Sequence, residues 1–533
     1  MGEMPFHRFG TMIDCSRNAV MKVESLKKWI DIIADLGYNT LLLYTEDTYE
    51  VEGNPYFGYL RGRYSAEELK EIDDYANSKG LECIPCIQTL AHLNAITRWN
   101  DYEPIIDTAD ILLVGDDRTY DLIDKMFASL SRTFRSKVIN IGMDEAHMIC
   151  RGKYYDLHGD CNRTEILIEH IKKVAELGKK YGLKLCMWSD MFYRLAAGDY
   201  YNYNLKTVGD GIKEAIPDNV ELIYWDYYST DKKRYNGMIK SHQKIKDGTW
   251  FAGGLWSWIG FAPHNGYSME STKVALQCCR ENGVKDVFLT MWGDNGSECS
   301  KFSLLPSLFY AAEVAKGNTK KSDIKKKFQE KFGISFDRFM LLDLLTGDER
   351  SNPEKYMLYN DLFMGIYDPL INESIEDGYA ALTRKLGLLK KNEDWGYLFK
   401  SSQALCDVLS IKAGLGKRTR AAYDSKDKNA LKELIKDYGK LIKKLEIFYN
   451  AYREQWYKEN KGNGFDVQDI RLGGLIMRVK HCKLMLQDYV DGKLSKIDEL
   501  EERLLPYDGK IEDTQTDTYL FNLWQNISTV NIL

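Results

Sequence analysis

Eight short, nearly continuous apolar runs recur through the first three-fifths of the chain, with amphipathic helical patterns between them. They are Phe9–Ile13, Thr40–Tyr44, Leu81–Ile87, Val138–Gly142, Leu183–Trp188, Glu221–Trp225, Trp250–Leu255 and Asp286–Trp292. Strands that are apolar on both faces belong to a parallel sheet covered by helices, and eight is the number that closes a (β/α)8 barrel. An open doubly wound sheet is the rival, but no glycine-rich phosphate turn follows the first run. The predicted fold class is therefore α/β, a (β/α)8 TIM barrel over residues 1–317. Helices are expected at Glu24–Leu36, stopped by Gly37, at Arg163–Tyr181 and at Ser268–Asn282, and Ser65 with Glu68 forms a capping box.

From about Asn318 the pattern changes to Lys/Glu-rich helical segments at Ser322–Phe332, Glu373–Lys391, Asn429–Glu459 and Asp469–Leu486. An all-helical C-terminal domain is expected over residues 318–533. Its charge runs read as solvated helix faces, and they carry no catalytic spacing.

The 533 residues carry a net charge of -6, which offers no basic surface for nucleic acid. No apolar run reaches the length of a membrane span, and the first twenty residues hold Asp14 and Arg17 with no continuous apolar segment. Neither signal peptide nor anchor is expected, and the location read from this is cytoplasmic. Eleven scattered cysteines agree with a reducing compartment. Cys83 and Cys86 fit C-x-x-C, but residues three apart on a strand face opposite ways, so neither redox chemistry nor a zinc site is expected there.

The chemistry concentrates where the apolar runs end. Val138–Gly142 stops at Met143, Asp144 and Glu145, and paired acids at a barrel strand end are placed for acid–base work. The same dipeptide at Asp348-Glu349 and Asp498-Glu499 sits in polar, helix-like surroundings and reads as surface. The first run leads into Asp14 and Arg17, where a guanidinium can bind two sugar hydroxyls, brace the loop by pairing with Asp14, or do both. The third leads into His92, a hydroxyl or carboxylate ligand or a structural histidine. Trp188-Ser189-Asp190, Tyr224-Trp225-Asp226, Trp256-Ser257-Trp258 and Trp292-Gly293-Asp294 end four further runs. Aromatics followed two residues later by acids share a face of a strand, which suits a pocket for neutral sugars. A partly dry aromatic pocket beside a second carboxylate raises the pKa of an acid, as a proton donor needs. Adjacent residues on a strand face opposite ways, so the chain must bend at Asp144 or Glu145 for both to reach one substrate. His147 invites a metal reading with these acids, but the spacing fits no metal pattern, and no metal is expected.

Taken together, Gly10-x-x-x-Asp14-x-x-Arg17, Gly142-x-Asp144-Glu145, Tyr224-x-Asp226 and Trp292-x-Asp294 resemble glycoside hydrolase family 20, the β-N-acetylhexosaminidases, over residues 6–316. The family's usual α/β domain before the barrel is missing, and Asp294 stands where Glu is common, so the chain resembles the compact type with a helical domain after the barrel. The resemblance implies exo-acting removal of terminal β-linked GlcNAc, with GalNAc also open, from an oligosaccharide or glycoconjugate. It implies retaining hydrolysis in which the substrate's acetamido oxygen is the nucleophile. It makes Glu145 the proton donor and then the base, Asp144 the partner of the acetamido nitrogen and Tyr224 the donor to the acetamido oxygen, with Tyr228 as an alternative. Arg17, Asp226 and Asp294 would bind hydroxyls, His92 would contact substrate or a carboxylate, and Trp188, Trp256 and Trp292 would wall the pocket. No cofactor is implied, and the chain is compatible with a homodimer. Two rivals stay open: a non-catalytic sugar-binding barrel, and a retaining glycosidase with an enzyme nucleophile, using two facing acids such as Glu145 and Asp294.

Overall fold

The computed structural model describes residues 4–203, 210–346, 350–372, 374–507, 509 and 520–532. Asp348, Glu349 and Glu373 lie outside them. The eight runs form parallel strands: β1 Arg8–Asp14, β2 Thr40–Glu46, β3 Glu82–Ile87, β4 Val138–Asn140, β5 Lys184–Trp188, β6 Val220–Trp225, β7 Trp250–Gly254 and β8 Asp286–Met291. Each pairs with its neighbour in chain order, and β8 pairs with β1 to close the barrel, with Met12 opposite Thr290. Apolar side chains fill both faces; Met12, Leu42, Ile84, Leu222 and Phe251 are fully buried. At Gly10 the strands come so close that a Cβ would lie 2.8 Å from the Thr40 carbonyl oxygen.

Local signals act as expected. The helix Val23–Leu36 ends on Gly37 at φ 86°, and Ser65 accepts from the Glu68 N–H while the Glu68 side chain accepts from the Ser65 N–H. Two strands end two residues away from the sequence reading. β4 stops at Asn140 instead of Gly142, because Gly142 and Met143 turn to φ 73° and 71°. β2 runs two residues longer, to Glu46, through an irregularity in its pairing with β3.

Compactness divides the chain into two units that interleave in sequence. The first comprises Met1–Leu255, Ser268–Met291 and Ser307–Ile324; the second comprises Trp256–Tyr267, Trp292–Pro306 and Lys325–Leu533. The chain segments that follow β7 and β8 thus belong to the second unit. That unit is built from helices, chiefly Ile375–Gly387, Gly396–Lys412, Lys428–Glu459 and Phe465–Val490. Leu431, Leu434, Tyr438, Leu441, Leu445, Phe448 and Tyr452 line the buried stripe of the longest one at helical spacing. Asp498 and Glu499 open a short helix, in keeping with a surface role. Among the described residues no helix is long and apolar enough to cross a membrane.

Candidate active site

The bend that the paired acids require lies in the backbone just past β4. Gly142, Met143 and Glu145 all have positive φ, the last at 51°, a region that costs a residue with a side chain energy. Gly142 admits no substitute, since a Cβ there would lie 2.1 Å from Gln88 Oε1 and 2.7 Å from the Ile87 carbonyl oxygen. Gln88 holds the turn from β3: its Oε1 accepts the Met143 N–H at 3.0 Å, and its Nε2 donates to Asp144 Oδ1 at 2.6 Å. As a result both acids reach one cation. His92 Nε2 lies 3.2 Å from Asp144 Oδ2 and 3.6 Å from Glu145 Oε2.

The two carboxylates differ in environment. Asp144 is buried; burial alone would raise its pKa, but His92 and Gln88 hold it below the ordinary aspartate value, so it is ionised. Glu145 has its side chain 41% exposed and is flanked by His92 and Arg194. The partly dry setting expected for the proton donor is therefore not what the structure has; Glu145 sits at a solvent-facing position between two bases.

Two further groups hold Glu145 in place. Asp190 Oδ2 accepts the Glu145 N–H at 3.0 Å and Arg194 Nε at 2.9 Å, while Arg194 Nη2 lies 3.5 Å from Glu145 Oε1. Burial and the neighbouring Asp144 raise the pKa of Asp190 to about 7.

On β1 and β2, Arg17 pairs with Asp14 Oδ2 and with Glu46 Oε1, each at 3.1 Å, and lies 5.5 Å from the centre of the Tyr44 ring. The loop-bracing pair is thus present. Tyr44 donates to Glu46 at 2.9 Å and accepts from Gln88 at 2.9 Å, so one polar network runs from Arg17 to Asp144.

On β6, Tyr224 is fully buried and its hydroxyl donates to Asp226 Oδ2 at 3.0 Å. Asp226 also accepts Arg234 Nε at 2.8 Å and the Tyr228 N–H at 3.0 Å. Trp188 is buried against Phe288 at 5.8 Å, a core position. Trp256, Trp292 and Asp294 lie in the second unit, where Trp256 packs on Trp258 at 4.8 Å and on Tyr267 at 5.0 Å. Among the described residues no group of three or more His, Cys, Asp and Glu is arranged to hold a metal ion.

The His92–Asp144 contact makes a prediction. Burial opposes the charge on His92, but Asp144 outweighs it and raises the pKa from 6.5 to about 9. A raised pKa contributes stability that is complete below about 6.5 and is lost as pH rises through about 9. Between pH 6.5 and 9.5 the wild type should therefore lose on the order of 1–3 kcal/mol that a His92→Gln variant, destabilised throughout, does not lose. Thermal melts of both proteins across that range check this; parallel curves would show that the pair is not ionic.

The family model for the glycosyl hydrolase family 20 catalytic domain matches residues 6–241, and that for the Glycoside Hydrolase 20C C-terminal domain matches residues 338–518. The chain belongs to glycoside hydrolase family 20. Hexosaminidase D of Homo sapiens is 22% identical over 238 residues, covering 42% of this chain and 46% of that protein. Beta-hexosaminidase subunit beta of Mus musculus is 23% identical over 294 residues, covering 45% and 53%. The chain thus spans about half the length of these curated relatives. Among solved structures, the beta-N-acetylhexosaminidase from Bacteroides fragilis NCTC 9343 shares 19% identity, covers 62% of this chain and 70% of its own, and gives a TM-score of 0.46.

Within this family-20 barrel, sequence reasoning missed Glu46, Gln88, Arg194 and Arg234, and singled out Asp190 without giving it a role. Gln88 carried a usable signal, since it is a polar residue directly after an apolar strand. Arg194 and Arg234 carried none, because they lie on helices several residues beyond the strand ends they serve.

Proposed function

We propose that the protein is an exo-acting β-N-acetylhexosaminidase that removes terminal, non-reducing β-linked GlcNAc, with GalNAc also accepted, by substrate-assisted retaining hydrolysis. The observation that carries this reading is the unlike pair at the end of β4: a buried, ionised Asp144 beside an exposed Glu145. A buried anion with fixed partners is suited to accept the acetamido N–H and to stabilise positive charge as the ring closes. An exposed acid beside it is free to move a proton both ways. The acetamido oxygen attacks the anomeric carbon, the glycosidic oxygen leaves with the proton of Glu145, and an oxazolinium ion forms. Glu145, now a carboxylate, takes a proton from the water that opens the ring, and the β configuration is restored.

Arg17 is the ligand for hydroxyls of the terminal sugar, pre-set by Asp14 and Glu46. Tyr224 takes the acetamido oxygen by exchanging its bond to Asp226, and Tyr228, two residues on, is the alternative donor. All eleven cysteines are free, which supports a reducing, cytoplasmic setting.

The test is a comparison of substrates. An aryl β-GlcNAc should be cleaved with kcat/KM at least about a hundredfold above the matching β-glucoside, since the glucoside lacks the nucleophile. A thiazoline mimic of the cyclic intermediate should compete with substrate. Comparable turnover of the two glycosides would instead indicate an enzyme nucleophile, and no turnover of either would leave a sugar-binding barrel.

A further inference from the structure

Two exposed aromatic rings and one half-buried ring stand together at the end of the barrel that carries Asp144 and Glu145. Tyr56 and Tyr59, 42% and 43% exposed, come from the loop after β2, and Trp99 comes from the loop after β3. Trp99 stacks on Tyr56 with centroids 5.4 Å apart and meets Tyr59 edge-on at 5.5 Å. Exposed aromatics grouped in this way are uncommon on a surface without a ligand.

The loops that present these rings are fixed. Arg61 donates to Asp47 at 3.0 Å and to the Ser16 carbonyl beside Arg17, and Arg63 holds the Pro55 carbonyl at 2.9 Å. In the second loop, Leu93 N–H donates to the Asp110 carbonyl at 3.1 Å and Thr97 Oγ1 to that of Ala109 at 2.8 Å. Such a platform is pre-ordered, so a ligand that stacks on it meets little entropic cost.

The second loop also fixes where the platform lies. His92 touches both acids, and two consecutive turns connect it to Trp99, Ile96 N–H to the Leu93 carbonyl and Trp99 N–H to the Ile96 carbonyl, each at 3.0 Å. Each turn keeps its end Cα atoms within about 7 Å, so the Trp99 Cα lies within about 18 Å of the His92 Cα. That is the span of a short oligosaccharide. Glu145, as the proton donor, faces the leaving group, and its neighbour His92 begins the loop that ends in Trp99.

We propose that Tyr56, Tyr59 and Trp99 form a subsite for the leaving-group side of the substrate, which stacks pyranose faces of a β-linked oligosaccharide beyond the scissile bond. This rests on the reading of the protein as an exo-hexosaminidase and adds to it a substrate class: chains of several sugars are preferred to disaccharides and to short aryl glycosides. The rings supply flat apolar faces and the two phenols supply hydroxyls for the sugar rim.

The experiment measures kcat/KM for chito-oligosaccharides from two to five units, and for an aryl β-GlcNAc, with the wild type, Trp99→Ala, Trp99→Phe and Tyr56→Ala. In the wild type kcat/KM should rise about tenfold with chain length, equivalent to ~1.4 kcal/mol of added binding. Trp99→Ala and Tyr56→Ala should flatten that rise and Trp99→Phe should keep most of it. Because Tyr56 is exposed, its variant keeps the test open if Trp99→Ala does not fold. A wild type that cleaves the aryl glycoside with no dependence on chain length would overturn the subsite and leave the catalytic reading intact, whereas failure on every GlcNAc substrate would overturn the catalytic reading beneath it. A dimer that Trp99→Ala dissociates, with the length dependence unchanged, would assign the rings to a second copy and overturn the proposal.

Discussion

Asp144→Asn is expected to lower kcat/KM by about 10²–10³-fold on activated aryl glycosides and on chitobiose alike. The carboxylate is buried and ionised, with Gln88 at 2.6 Å and His92 at 3.2 Å, so the substitution removes a fixed negative charge from the place where the acetamido group must close its ring. Every substrate passes through that step, whatever its leaving group. Glu145→Gln should behave differently. It removes a proton donor whose contribution, about 10²–10⁴-fold, is needed by a sugar alkoxide and little needed by an activated phenol. The ratio of kcat/KM for the aryl substrate to that for chitobiose should therefore climb steeply in Glu145→Gln and stay near the wild-type value in Asp144→Asn. The opposite pattern would exchange the two roles. Full activity in both variants would remove this strand end from catalysis altogether.

Ending the chain near Asn318 should give insoluble protein. The segments after β7 and β8 find their partners inside the second unit, on residues that the truncation deletes. Glu298, almost fully buried, pairs with Lys355 at 2.8 Å and Arg471 at 2.9 Å. The Ile259 carbonyl accepts from Asn352 at 2.6 Å, that of Gly296 from Gln468 at 3.1 Å, and that of Glu298 from Tyr452 at 3.1 Å. Phe261 packs on the rings of Phe448 and Tyr452 at 5.5 and 5.2 Å. Removing the partners of one buried ion pair costs about 3–5 kcal/mol, a large part of the stability of a whole domain. The soluble fraction after expression, compared with the full chain, measures the outcome. A soluble, monomeric truncation with wild-type activity would show that these contacts are dispensable.

The barrel was legible because its strands are apolar on both faces and its helices carry their own start and stop signals, as at Ser65 and Gly37. The paired acids were legible because an apolar, β-branched run stops at two adjacent carboxylates, at the barrel face where strand ends carry chemistry. What escaped was the effect of backbone that leaves the strand. Trp188-Ser189-Asp190 reads as a strand keeping its alternation, yet Asp190 begins a helix and turns to the Glu145 N–H. Glu46 follows an irregularity in β2 that no local residue announces, so its carboxylate beside Arg17 could not be read from spacing.

The interleaving of the two units bears on how the protein is made. The segment 292–306 is synthesised with the barrel strands that precede it, but Gln468 and Arg471, which hold it, follow more than 160 residues later. At about 5–20 residues per second, translation leaves this segment without those two partners for roughly 8–30 s. During that interval the Glu298 carboxylate lacks Arg471, and Phe261 waits for most of it for the rings of Phe448 and Tyr452. Slow codons placed after residue 306 would lengthen this exposure, and placed after residue 471 they would not, so the yield of soluble protein records the order in which the chain is completed.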